Sequence, residues 1–89
     1  MGTIGVKLKV MPESPETNME KLQKELKKLV EKNGGKNRNY EIEPVAFGLM
    51  SVIAFFEWPE EKELEKFEEA VKKIKEVSSI QILDMRRLI

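Results

Sequence analysis

The chemistry open to this chain is narrowed first by what it lacks. Its 89 residues contain no cysteine and no histidine. Disulfides, thiolate nucleophiles and cysteine metal sites are excluded. So are the commonest general base and the commonest metal ligand, and a Ser-His-Asp triad cannot be assembled. Charged and aromatic side chains remain. Glu60, Glu61, Glu63, Glu65, Glu68 and Glu69 form an acidic run, and Lys21, Lys24, Lys27, Lys28 and Lys32 a basic one. Arg86 and Arg87 stand together, and Phe47 stands directly before Gly48. Each grouping has a plain reading. The acidic run falls largely in the first turns of an expected helix, where it complements the dipole without a cation; no metal site is assigned. Glu20, Glu25 and Glu31 interleave with the lysines, so that face pairs locally and meets solvent. Arg86 and Arg87, taken as residues, are a solvated terminus. Glycine takes positive φ at little cost, so Phe47-Gly48 is expected at the tip of a β-hairpin. An aromatic there either folds back over the sheet or is held out for a partner.

The composition sets the frame for these groups. The length suits one domain, residues 1–89. Sixteen basic and sixteen acidic residues cancel, so net charge does not steer the chain to nucleic acid. The longest apolar runs are far short of a membrane span. Met1-Gly2-Thr3-Ile4 lacks the charged and apolar regions of a signal peptide. A soluble cytoplasmic protein is expected, with no membrane partner.

The elements that must position these groups follow from periodicity. Thr3 to Met11 alternates, with Ile4, Val6, Leu8 and Val10 on one side and Lys7 and Lys9 on the other; this is a half-buried strand. Two prolines, Pro12 and Pro15, break it. Thr17 with Glu20 forms a capping box for a helix carrying Met19, Leu22, Leu26, Leu29 and Val30 to about Lys32, ended by Asn33-Gly34-Gly35. A second strand is expected over about Asn39 to Ala46. A third covers about Leu49 to Trp58; it is apolar on both faces and so central in its sheet. Pro59 suits the first turn of a second helix, whose stripe is Leu64, Phe67, Val71 and Ile74. Ile80 to Leu88 is the last strand. Right-handed crossovers around a central hairpin make this an α+β, ferredoxin-like βαββαβ sandwich. It has a four-stranded antiparallel sheet in the order 4-1-3-2 and both helices on one face.

That topology separates the motifs. The Met11–Glu16 loop and Phe47-Gly48 lie at one end of the sheet. Arg86-Arg87-Leu88-Ile89, Met1-Gly2 and the Trp58-Pro59 corner lie at the other, roughly 27 Å away for a strand of about eight residues. One tip is aromatic and the other basic. Leu49, Ile53 and Phe55 could face away from the helices, as a partner surface, a homodimer surface or a small exposed patch.

Three segments together resemble the archaeal elongation factor 1-beta family. They are Val6 to Glu16 (VKLKVMPESPE), Glu43 to Leu49 (EPVAFGL) and Asp84 to Leu88 (DMRRL), in order and at matching spacing across essentially the whole chain. The chain is also similar to the C-terminal catalytic domain of the eukaryotic factor. The resemblance implies a ferredoxin-like guanine nucleotide exchange factor acting on the GDP/GTP-bound GTPase elongation factor 1-alpha. It implies no cofactor and no covalent chemistry. It implies that Arg87 enters near the magnesium and phosphates of the GTPase, where a cation competes for the same acidic groups. It implies that Phe47 grips the partner elsewhere, towards the region receiving the aminoacyl end of tRNA, with Gly48, Arg86 and Leu88 as further contacts. Three departures stand out. Arg87 occupies a position that is lysine in the eukaryotic domain, Met50 and Ser51 replace basic residues that commonly follow the Phe-Gly turn, and Trp58 to Lys62 differs from the usual acidic Gly-Gly stretch.

The runner-up on the same fold is an RNA-binding or ribosome-associated module, which would stack bases on aromatics of the open sheet face. The basic-aromatic run that such modules carry is missing from Leu49 to Trp58. A small-molecule regulatory domain has no specific residue in its support, and fold alone does not choose.

Overall fold

Alternation makes the first strand. In the computed structural model, which describes residues 2–88, β1 covers Thr3–Pro12 and buries Val6, Leu8 and Val10 on one face. Helix α1, Met19–Lys32, buries Leu22, Leu26 and Val30, one residue per turn. Its cap is not the expected Thr17–Glu20 box. Asn18 is the N-cap, and its side-chain oxygen accepts from the Lys21 N–H at 3.1 Å. Two cap-forming residues stand side by side, and asparagine is the stronger of them. The C-terminus ends as expected: the Gly34 N–H donates to Glu31 O at 3.1 Å and the Gly35 N–H to Val30 O at 2.8 Å, the double bond of a Schellman cap. A Cβ on Gly35 would lie 2.8 Å from the Glu57 carbonyl oxygen. This glycine lets the helix end press against the sheet.

Strand β2, Lys36–Pro44, starts earlier than the Asn39 expected and stops short of Ala46. Arg38 is an extra residue in its ladder, between the Asn37–Phe56 and Asn39–Phe55 pairs, which hides the alternation at its start. Strand β3, Met50–Pro59, is central, antiparallel to β2 on one side and β1 on the other. Pro59 does not open the second helix. It is the last residue of β3, opposite Thr3, and a turn follows in which the Lys62 N–H donates to Pro59 O at 3.1 Å. The buried Trp58 fastens that turn through its indole N–H to Lys62 O, 3.1 Å away. Helix α2, Leu64–Lys72, therefore begins with Glu63 as N-cap. Glu60 and Glu61 lie before the helix, so only the later part of the acidic run faces its dipole. Strand β4, Val77–Arg87, starts three residues before Ile80.

The sheet order is β2-β3-β1-β4, which is 4-1-3-2 taken from the other edge, and every pairing is antiparallel. The fold is ferredoxin-like. Both helices contribute to one core with the β1 and β3 residues of a single sheet face. At its centre Phe67 of α2 meets Phe56 and Trp58 of β3, with ring centroids 5.2 and 5.0 Å apart. Such contacts add about 0.5–1.5 kcal/mol each beyond burial. The molecule is elongated, 42 × 20 × 18 Å, and β1 lies between β3 and β4 in its sheet.

Candidate functional site

The β2–β3 hairpin closes on a tight loop. The Val45 N–H donates to Leu49 O at 2.7 Å, and the Leu49 N–H donates to Ala46 O at 3.2 Å. The two residues between Ala46 and Leu49 both have positive φ, 61° at Phe47 and 76° at Gly48, as in a type I′ turn. Glycine is at ease there. Phenylalanine is not: the left-handed region costs a residue with a Cβ roughly 1–2 kcal/mol. No packing compensates, because Phe47 is 95% exposed. Of the two dispositions open to this ring, folded back or held out, it is held out.

The opposite tip depends on an irregularity that alternation alone does not reveal. Lys7 pairs with Asp84 but Leu8 pairs with Ile82, so Leu83 is an extra residue in β4. A bulge of one residue exchanges the faces of everything beyond it. Arg87 consequently pairs with Ile4, on the side of the sheet that carries the core, while Arg86 pairs with Gly5 on the open side. The two arginines are separated accordingly. Arg86 Nε lies 2.8 Å from Asp84 Oδ2, its neighbour on the open face. Arg87 reaches the corner after β3, where Nε lies 3.3 Å from Glu60 Oε2 and Nη2 closes on Oε1. Glu60 is a site residue that motif reading misses. It sits 27 positions from Arg87, and only the fold brings the two together.

Leu88 is fastened beside them. Its N–H donates to Thr3 O at 2.8 Å, and its side chain lies over Gly5. There it lines an open-face groove of about 320 Å³ with Phe55, flanked by Arg38, Glu57, Asp84 and Arg86. Of the apolar residues that could form an exposed patch on the open face, two of β3 are covered. Ile53 is buried, and Lys7 Nζ stands 5.3 Å from the centre of the Phe55 ring. Thus Arg86, Arg87 and Leu88 share one tip, and Phe47 and Gly48 the other. Met1 and Ile89, expected at the basic tip, lie outside the described residues. No helix is long and apolar enough to cross a membrane among the described residues.

A strand-paired arginine tip and a protruding aromatic turn thus stand at opposite ends of a ferredoxin-like α+β sandwich. Residues 5–88 match the EF-1 guanine nucleotide exchange domain. Elongation factor 1-beta of Methanococcus maripaludis is 44% identical over 87 residues, covering 96% of this chain and 97% of that one. The factor of Nanoarchaeum equitans is 40% identical over 77 residues, covering 85% and 94%. That of Methanocaldococcus jannaschii is 38% identical over 86 residues, covering 96% and 97%. The chain belongs to the elongation factor 1-beta family, the guanine nucleotide exchange factors of elongation factor 1-alpha. Solved structures similar in fold include the C-terminal domain of the MgtC protein from Mycobacterium tuberculosis, with a TM-score of 0.74 at 11% identity, covering 97% of this chain and 88% of that one. Another is the ACT domain from GTP pyrophosphokinase of Chlorobium tepidum, with a TM-score of 0.65 at 11% identity, covering 91% and 99%. At that identity they report the fold alone.

Proposed function

We propose that the two tips divide nucleotide exchange between them, with Phe47 anchoring the chain on elongation factor 1-alpha and Arg87 loosening the nucleotide. The observation that carries this reading is Phe47 itself, a large ring held in a costly backbone conformation and left 95% exposed at one end of the sheet. Such a ring contributes little to its own fold and is well suited to entering a pocket on a partner. Gly48 completes the turn that presents it. Arg86 and Leu88 then meet the GTPase around Arg87.

The action of Arg87 is electrostatic. A guanidinium brought to about 4 Å from another unit positive charge is repelled by about 4 kcal/mol in a partly desolvated setting. Set beside the magnesium ion of the GTPase, it weakens the metal's hold while offering its own hydrogen bonds to the phosphates. A factor that binds the nucleotide-free state more tightly speeds GDP release and so lets GTP reload. No bond is made or broken, so the chain acts as a non-covalent exchange factor rather than an enzyme. It uses no cofactor of its own, works in the cytoplasm, and contacts neither nucleic acid nor membrane directly. A stacking role towards RNA has little support, since the open-face aromatic, Phe55, lies under Lys7.

The experiment is release of a fluorescent GDP analogue from purified archaeal elongation factor 1-alpha. Arg87→Ala, or removal of the last three residues, is expected to abolish the acceleration while the unfolding midpoint of Arg87→Ala stays put. Full acceleration by Arg87→Ala would sink the mechanism.

A further inference from the structure

We infer that Glu60 is a positioning residue for exchange: it holds the Arg87 guanidinium in the orientation in which the tip meets the GTPase. The inference rests on the reading that Arg87 acts there, and it starts from how the pair is built. Arg87 offers Glu60 one edge of its fork, Nε and Nη2, to the two oxygens of one carboxylate. That grip fixes the guanidinium plane. It leaves Nη1 free of hydrogen bonds among the described residues, so half of the fork remains available.

Both ends of the grip stand on braced backbone. The Glu60 N–H donates to Gly2 O at 2.9 Å, and the Leu88 N–H donates to Thr3 O at 2.8 Å. Pro59 pairs with Thr3, and Arg87 with the adjacent Ile4. The turn carrying Glu60 is fastened by the buried Trp58 indole. A carboxylate just before α2 and a guanidinium at the end of β4 are thus held by the same end of β1.

Stability does not account for this arrangement. The side chains of Arg87 and Glu60 are 68% and 36% exposed, and ion pairs so open to water contribute little to folding. What the pair does supply is order. A free arginine side chain on a strand end samples many rotamers, and that freedom is lost when it enters a site. An arginine already held in one orientation loses less.

The test is a small cycle of variants read in the GDP-release assay with saturating and limiting factor. Glu60→Ala is expected to lower the maximal rate by about threefold to tenfold, the factor for one rotamer-rich side chain no longer ordered beforehand. The half-saturating concentration should hold, because Phe47 still anchors the complex. Glu60→Gln should fall between. In an Arg87→Lys background, whose ammonium cannot take the two-point grip, Glu60→Ala should cost less than about twofold. A Glu60→Ala rate equal to or above that of the parent would overturn the inference while leaving the role of Arg87 intact. An equal loss in both backgrounds would also overturn it, marking a general disturbance of the corner. If Arg87→Ala exchanges as well as the parent, both readings fall together.

Discussion

Gly5 and Leu88 occupy one patch of the open face: a Cβ on the glycine would stand 3.2 Å from Leu88 Cδ2 and 3.5 Å from Cγ. The missing side chain on β1 is the seat of the leucine next to Arg87. Gly5→Ala meets only the far end of a flexible side chain and should cost less than about 0.5 kcal/mol. Gly5→Val must unseat Leu88. Loss of amide-exchange protection at Leu88, with a drop in nucleotide-exchange rate, is expected for valine and not for alanine.

Phe47 offers a case in which stability and function should move oppositely. Asparagine tolerates the left-handed conformation far better than phenylalanine does. Phe47→Asn is therefore expected to raise unfolding stability by about 0.5–1 kcal/mol, measured by urea denaturation. The same variant should bind elongation factor 1-alpha more weakly. A destabilised Phe47→Asn would contradict the description of the turn.

The bulge at Leu83 can be tested by removing it. Deleting Leu83 closes the bulge and keeps the pairings beyond it, from Lys7 with Asp84 to Ile4 with Arg87, so Arg87 stays on the side of Glu60. With no side chain of that tip misplaced, the exchange rate should stay within about twofold of the parent, and a loss of about a hundredfold would contradict this description of the bulge. Circular dichroism and the unfolding transition should still report a folded sheet.

Tyr40 provides a pH signature. Its O–H donates to Asn37 Oδ1 at 2.6 Å. Burial first, and then the negative charge of Glu31, push the phenol far above its ordinary value near 10. Above about pH 10 the unfolded chain gives up this proton while the folded one keeps it, so stability falls as pH rises. The contribution is fully present below that pH. The stability difference between the parent and Tyr40→Phe should be flat from pH 7 to 9 and shrink from pH 10 upwards, read from urea midpoints.

Much of this was legible in the residue pattern, and the exceptions have local causes. Ile4, Val6, Leu8 and Val10 announce β1 because one face is buried and the other wet. Gly48 announces its turn because glycine accepts positive φ at little cost, whereas nothing in the residue type of Phe47 announces the same conformation there. The bulge leaves no such trace. Beyond Ile82, Asp84, Met85, Arg86 and Arg87 are all exposed, so neither parity is favoured by burial. Pro59 suggested a helix start because proline fits a first turn, but the strand had already claimed it through its pairing with Thr3. Glu60 looked like one glutamate among many. Its meaning depends on a partner that only the chain order and the bulge bring within reach.

The central place of β1 has a kinetic consequence. This strand, the first to be synthesised, pairs on one side with β4, the last. That pairing closes the longest loop in the chain, and such contacts form late because the entropy of closure opposes them until other contacts have gathered the ends. Ile4 can find Arg87 only when translation has passed residue 87. A nascent or C-terminally clipped chain could assemble its hairpin and present Phe47, yet it would have no basic tip. Among partly made molecules, the aromatic turn would therefore be complete before the arginine tip exists.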